Sequence, residues 1–223
     1  MQEFIGRSIE CAIKLNSPDH NINRAESMDS IPPTLIDFIN LAYSKFDQSH
    51  GVAHVMRVFE YAHQIIAGEN IMMTQTERSE LPYVILCHDV LDHKYIHESL
   101  DEAAVMDFYT AHMSATSAAK IKHIHKNCSW SKRAYNIPLE AGDWMRKILE
   151  DADRLDAIGE DGLRRCIEYT RAHSDNIAQP VCKHIREKLL LIPDNFNFKT
   201  SARIAASNNM IAPLLNYLSE NEH

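Results

Sequence analysis

Paired cysteines are absent from this sequence. Its five cysteines are odd in number and scattered, and no two of them stand in a C-x-x-C arrangement. The odd, scattered cysteines argue against a disulfide framework, and the lack of C-x-x-C spacing argues against a cysteine zinc site. Unpaired thiols of this kind are typical of a reducing compartment, and we expect the protein to be cytoplasmic.

Long apolar runs and an excess of basic residues are missing as well. No stretch approaches the roughly 20 apolar residues of a membrane-spanning helix, and the N-terminus lacks the basic start and apolar segment of a signal peptide. The formal net charge is −8, which argues against broad affinity for a nucleic-acid backbone. We therefore expect no membrane and no extended nucleic acid as partner. A small anionic substrate would need a metal ion or a few placed Lys and Arg residues.

Glycine is scarce, with six in 223 residues, and the alternation of apolar and polar residues that predicts strands is hard to find. Apolar residues recur instead at helical spacing along most of the chain. The expected helices include residues 77–90, 138–157 and 200–218. The length suits one sizeable core, so the sequence predicts a single all-α domain at residues 35–218. Residues 1–34 are expected to add an N-terminal helix and loop.

Two histidines four residues apart, His50 and His54, lie at the expected start of a helix and so share one face. The same spacing occurs in zinc peptidases, where a glutamate follows the first histidine as general base. Gly51 stands at that position here, so a peptidase would lack its base. The alternative to metal binding is a capping or surface role for His50 and a structural role for His54.

An adjacent histidine and aspartate, His88-Asp89, end the apolar run at residues 83–87. The pair offers one nitrogen and one oxygen ligand at the point where a buried segment is expected to meet solvent. Further charge follows in Asp92 and His93, and charged groups beside an apolar segment need partners. A cation would neutralise two aspartates at once. The alternative is a core histidine followed by an aspartate that ends its helix.

Three aspartates, Asp151, Asp153 and Asp156, occur within six residues of one expected helix. Asp151 and Asp153 cannot share a face, because residues i and i+2 point apart on a helix. Asp153 has Ala152 and Leu155 beside it, and we expect it to be the aspartate that reaches the interior. A solvated acidic face is the alternative. Two histidines and two aspartates at one point would suit a divalent cation with mixed ligation.

These residues together resemble the H…HD…D signature of the HD superfamily of metal-dependent phosphohydrolases. The segment A-D-R-L at residues 152–155 is similar to the stretch that holds the last aspartate in several branches of that family. The likeness covers about residues 35–215 and is closest to the small stand-alone bacterial-type HD hydrolases. It implies an HD-type helical bundle with a metal site between core helices. The implied ligands are four residues: His54, His88, Asp89 and Asp153.

The resemblance also implies an activity. The chain would be a divalent-metal-dependent phosphohydrolase that acts on a small phosphorylated substrate, with a nucleotide as the expected class, by attack of metal-activated water at phosphorus. Mixed nitrogen and oxygen ligands favour one ion of Mn, Co, Ni, Fe or Zn over Mg, although Mg stays open. In the guanosine tetraphosphate hydrolases two acids follow the His-Asp pair. Here Asp92 and His93 hold those positions, which argues against that substrate.

Further residues receive roles in the expected cleft. Asp92 would be the catalytic, water-orienting base, and Lys94 would act beside it on the phosphate oxygens. Four residues are expected to contact the substrate: Arg57, His50, Lys132 and His125. For the cations the alternative is a solvated surface position, and for His125 a structural one. A catalytically silent metal- or nucleotide-binding HD domain that acts as a sensor or scaffold stays open, as does a homodimer.

Overall fold

The computed structural model describes residues 31–44, 46, 51–91, 100–132 and 143–221. Ten α-helices form in these ranges, and no strand, which confirms the all-α prediction. The expected helix at the N-terminus lies outside the described residues. Within the described ranges no helix is long and apolar enough to span a membrane.

The ten helices have these bounds: α1 (Pro33–Ala42), α2 (Val52–Gly68), α3 (Gln75–Leu86), α4 (Glu102–His112), α5 (Ala115–Asn127), α6 (Asp143–Ala157), α7 (Gly159–His173), α8 (Ala178–Glu187), α9 (Lys199–Ser207) and α10 (Ala212–Asn221).

The packing of α2 against α6 forms the centre of the bundle, and α3 packs against both helices. Each of the two central helices presents a stripe of apolar residues at helical spacing. The fully buried members are Val55, Val58, Phe59, Ala62 and Ile65 in α2, and Met145, Ile148, Leu149, Ala152 and Leu155 in α6. Complete burial of such a large apolar side chain stabilises the fold by about 1.5–3 kcal/mol. The expected metal ligands thus lie on, or directly after, closely packed helices.

Helix α3 ends at Leu86, four residues earlier than the sequence predicts, so that His88 and Asp89 lie in a turn. Side chains donate hydrogen bonds to the last two carbonyl groups of the helix. The hydroxyl of Tyr43 in the turn after α1 donates to the Leu86 carbonyl at 2.9 Å, and His88 Nδ1 donates to the Ile85 carbonyl at 2.8 Å. The helix therefore ends where these two side chains cap it.

The expected helix at residues 200–218 is two helices, α9 and α10, so that prediction was wrong. Between them Asn209 has a φ of +49°, a left-handed conformation that asparagine tolerates better than most residues. The Met210 carbonyl accepts a hydrogen bond from Gly159 N at 2.8 Å. The break therefore ties the C-terminal part of the bundle to the corner between α6 and α7.

Two glycines shape that corner between α6 and α7. Gly159 has a φ of +78°, a region that favours glycine. A Cβ atom at Gly162 would collide with the backbone carbonyl of Ala157, which ends α6. The first turn of α7 can therefore approach the end of α6 only because residue 162 has no side chain.

Gly162→Ala is expected to lower the free energy of unfolding by about 1–3 kcal/mol, the usual cost of overpacking a close contact. The clash is with backbone, so no rotamer change can relieve it. Chemical denaturation monitored by circular dichroism measures the difference. Glu160→Ala, at an exposed position in the same turn, is the control and should change stability by less than about 0.5 kcal/mol. Equal stability of the two variants would contradict the close approach.

Candidate metal centre

His54 lies in the first turn of α2, with its side chain 1% exposed. Its Nδ1 atom is 2.7 Å from Oδ2 of Asp156 on α6. Burial alone would raise the pKa of Asp156. The hydrogen bond and charge of His54 and the nearby guanidinium groups of Arg165 and Arg57 outweigh that effect and lower the pKa below its ordinary value. The ionised carboxylate can only accept, so Nδ1 of His54 donates and Nε2 faces the interior of the site.

His88 presents its ring to the same point from the turn after α3. The Ile85 carbonyl can only accept a hydrogen bond, so Nδ1 of His88 carries the proton. Its Nε2 atom lies 3.3 Å from Nε2 of His54. Two imidazoles that each donate through Nδ1 face one another through their Nε2 atoms. The arrangement is repulsive unless a proton or a metal ion lies between the two lone pairs.

Two carboxylates complete the cluster. Asp89 lies 3.5 Å (Oδ2) from His54 Nε2 and 3.4 Å (Oδ1) from His88 Nε2. Asp153 Oδ1 lies 3.6 Å and 4.0 Å from the same two nitrogens. Ligand atoms of His54, His88 and Asp89 all fall within 4.8 Å of one another. The four side chains that the resemblance singles out are therefore neighbours in the structure.

The donor set fits a divalent ion. Two nitrogens that are each about 2.1 Å from one ion lie about 3.0 Å apart in octahedral and about 3.4 Å apart in tetrahedral geometry. The observed 3.3 Å falls between these values. Burial and Arg165 lower the pKa of His54, but hydrogen bonds from its ring to Asp156 and Asp89 outweigh them, so the net pKa is raised. The cluster thus favours a positive charge at its centre.

Asp156 is the residue of this centre that sequence reasoning missed. It is 2% exposed and accepts from Arg57 Nε at 2.5 Å, from Arg57 Nη2 at 3.2 Å and from Arg165 Nη1, as well as from His54. A carboxylate behind a ligating histidine fixes the ring and its tautomer. The signal was present, because Asp156 follows Asp153 by three residues and so shares its face of α6.

Asp151, not Asp153, is the aspartate that the fold buries, so the prediction of which one reaches the interior was wrong. Asp151 is 0% exposed, whereas the side chain of Asp153 is 45% exposed at the rim of the cluster. Asp151 accepts from the backbone N–H groups of Asn197 and Phe198, both at 2.9 Å, and from the Ser201 hydroxyl at 2.7 Å. It fastens α6 to the start of α9 and has a structural role.

The expected substrate contacts have different surroundings in the structure. Arg57 binds the carboxylate of Asp156, and Lys132 is exposed in a 3₁₀ helix at Trp130–Lys132. His125 Nε2 donates to the Val84 carbonyl at 2.9 Å. Burial lowers the pKa of His125 to about 4, so its ring is neutral near pH 7. Three other predicted residues lie outside the described ranges: His50, Asp92 and Lys94.

Comparison of the sequence with known proteins finds a distant relative. No protein-family model matches the chain. Uncharacterized protein L803 of Acanthamoeba polyphaga mimivirus is 28% identical over 137 residues, which are 54% of this chain and 53% of that protein. The chain thus spans about half the length of that relative.

Comparison of the fold finds several solved bacterial structures. Bacillus subtilis YpgQ, solved in complex with ADP, is 24% identical, with a TM-score of 0.63 over 83% of this chain and 96% of that one. The Lin1889 protein of Listeria innocua is 23% identical, with a TM-score of 0.59 over 88% and 96%. An HD-superfamily hydrolase of Bacillus thuringiensis is 22% identical, with a TM-score of 0.59 over 88% and 96%. At these identities the likeness shows a shared fold.

Proposed function

The chain has the fold of the HD-superfamily hydrolases. We propose that the protein is a divalent-metal-dependent phosphohydrolase acting on a small phosphorylated substrate. One observation supports the proposal above all others. The Nε2 atoms of His54 and His88 face each other at 3.3 Å with Asp89 and Asp153 beside them. Such a cluster suits a divalent cation with nitrogen and oxygen ligands.

The proposed ligands are His54, His88, Asp89 and Asp153. A divalent ion bound by them would lower the pKa of bound water and would offset the charge that develops on a phosphoryl group. The chain's own contribution is orientation. Asp156 and the Ile85 carbonyl hold the two rings so that both Nε2 atoms point to one place.

The buried and exposed sides of the cluster divide the proposed roles. Asp156 is buried, whereas Asp153 is 45% exposed, so a substrate would approach from the side of Asp153. We propose Asp92 as the residue that orients the attacking water, with Lys94 beside it. The substrate contacts are proposed to come from the residues that the sequence indicates: Arg57, His50, Lys132 and His125.

A nucleotide is the substrate class that we propose. The chain carries a formal net charge of −8, so a phosphate group needs a bound cation to enter a cluster that holds two carboxylates. Bacillus subtilis YpgQ, which shares the fold, was solved in complex with ADP. A single-domain unit at residues 35–218, a cytoplasmic location and a homodimer stay predictions.

The experiment that tests this function begins with metal analysis of the purified protein. A panel of nucleoside mono-, di- and triphosphates and cyclic dinucleotides is then assayed for phosphate or nucleotide release with manganese added. We expect one divalent ion per chain and turnover of at least one nucleotide, abolished by chelation and restored by metal. A protein that binds metal but turns over none of the panel would instead indicate a sensor or scaffold.

Asp92→Ala is expected to retain the metal and slow hydrolysis by about 10²-fold, the lower end of what a positioned general base contributes. Metal analysis and steady-state kinetics on the best substrate of the panel measure the two effects. Asp107→Ala removes an exposed acid from α4 and serves as the control, with kinetics unchanged. Full activity of Asp92→Ala would remove this residue from the mechanism.

A further inference from the structure

A cavity lies beside the corner of α6 and α7, against α8. It has a volume of about 100 Å³, and Arg165, Tyr169 and His184 are among the residues that line it. Cys166 and Leu189 contribute to its wall. The four proposed metal ligands do not line it, so it is distinct from the metal centre.

Among the residues that line this cavity, the one with a permanent charge is the cationic Arg165. Its side chain is only 11% exposed, and the described residues that line the cavity include no carboxylate. Positive potential in a partly enclosed space favours an anion.

The size of the cavity limits the kind of anion. A single water needs about 10–15 Å³ by the same measure of volume, so about 100 Å³ has room for several heavy atoms. Pockets for larger organic ligands start at about 300 Å³. A tetrahedral oxyanion fits this range, and a whole nucleotide does not.

We propose that this cavity binds a small oxyanion, with inorganic phosphate as the simplest case, through the guanidinium group of Arg165 and the imidazole of His184. Nη1 of Arg165 also donates to the side chain and backbone carbonyl of Asp156. The anion would therefore lie one side chain away from the carboxylate that orients His54. The site goes beyond the proposed hydrolase activity and does not depend on it.

Calorimetric titration of inorganic phosphate into the full-length, metal-stripped protein tests the site. Without metal, the carboxylates of the other centre repel phosphate. We expect saturable binding of one phosphate per chain, weakened at least about tenfold by His184→Gln, which removes a ligand group. Cys166→Leu should weaken it similarly by filling the cavity. Lys183→Gln removes a charge from the neighbouring position on α8, 70% exposed, and should bind as the unaltered protein does.

Two results would overturn the proposal. One is the absence of saturable binding by the metal-stripped protein. The other is binding that His184→Gln retains, or that Lys183→Gln weakens as much as His184→Gln does, because phosphate would then bind elsewhere or to general surface charge. Circular dichroism checks that each variant is folded. His184 is exposed, so His184→Gln decides the matter even where Cys166→Leu does not fold.

Discussion

His88→Ala is expected to abolish metal retention and to lower hydrolysis by at least about 10³-fold, while the helical fold remains. Metal-ion catalysis contributes several kcal/mol to transition-state stabilisation, and each 1.36 kcal/mol is about a tenfold change in rate. Without this ring the cluster loses one of its two nitrogen ligands. The Ile85 carbonyl also loses its donor, at a cost of about 1–3 kcal/mol in stability. Elemental analysis after dialysis and steady-state kinetics measure the two main effects.

The matched control for this variant is His123→Ala. His123 is an exposed histidine on α5, so its loss should change neither metal content nor rate. Asp89→Ala, at a side chain that is 18% exposed, is a second ligand variant that costs little packing and should also lose metal and activity. If either ligand variant retained turnover, the residue changed in that variant would not belong to the metal site.

Asp156→Asn is expected to weaken metal binding by about 10–100-fold, the usual effect of losing the partner that orients a ligating histidine. It should also lower the free energy of unfolding of the metal-free protein by about 3–5 kcal/mol, because two guanidinium groups lose their buried counter-charge. Arg57 and Arg165 both bind this carboxylate. Metal titration gives the first quantity, and urea denaturation in the presence of a chelator gives the second.

Asp161→Asn is the control for the loss of an acid that pairs with an arginine. Asp161 is 54% exposed and lies 2.7 Å from Arg164, and a surface pair of this kind contributes about 0–1 kcal/mol. Its metal affinity should be unchanged. If Asp156→Asn bound metal as tightly as Asp161→Asn, the orientation of His54 would not depend on Asp156.

The sequence was sufficient for the class of fold, and its resemblance to a known family was sufficient for four of the side chains that come together. Helical spacing of apolar residues, with little glycine, predicts an all-α chain, and the described residues confirm it. His88 and Asp89 are adjacent in the sequence, so they must lie close together in any fold. The approach of His54 and Asp153 was inferred from the resemblance, and the structure places His54 Nε2 3.3 Å and Asp153 Oδ1 4.0 Å from His88 Nε2.

What the sequence could not determine is the rotation of α6 about its axis. Residues i and i+2 point apart, so Asp151 and Asp153 could not both face the core, but their neighbours did not show which one did. The answer depends on Asn197, Phe198 and Ser201, more than 40 residues away along the chain. The spacing of Asp156 from Asp153 placed it on the same face of α6, but its contact with Arg165 forms only once α7 has folded back.

The hydrogen bonds to Asp151 limit the rotation of α6 about its axis and so limit the displacement of the carboxylates that α6 contributes to the centre. A carboxylate about 6 Å from the axis of a helix moves by about 1 Å when the helix turns by about 10°, and metal–ligand distances tolerate only about 0.2 Å. Asp151 fixes α6 through two backbone N–H groups and one hydroxyl. It thereby sets the angular position of Asp153 and Asp156 alike. The geometry of the proposed ligands is thus set by an anchor that is not itself one of them.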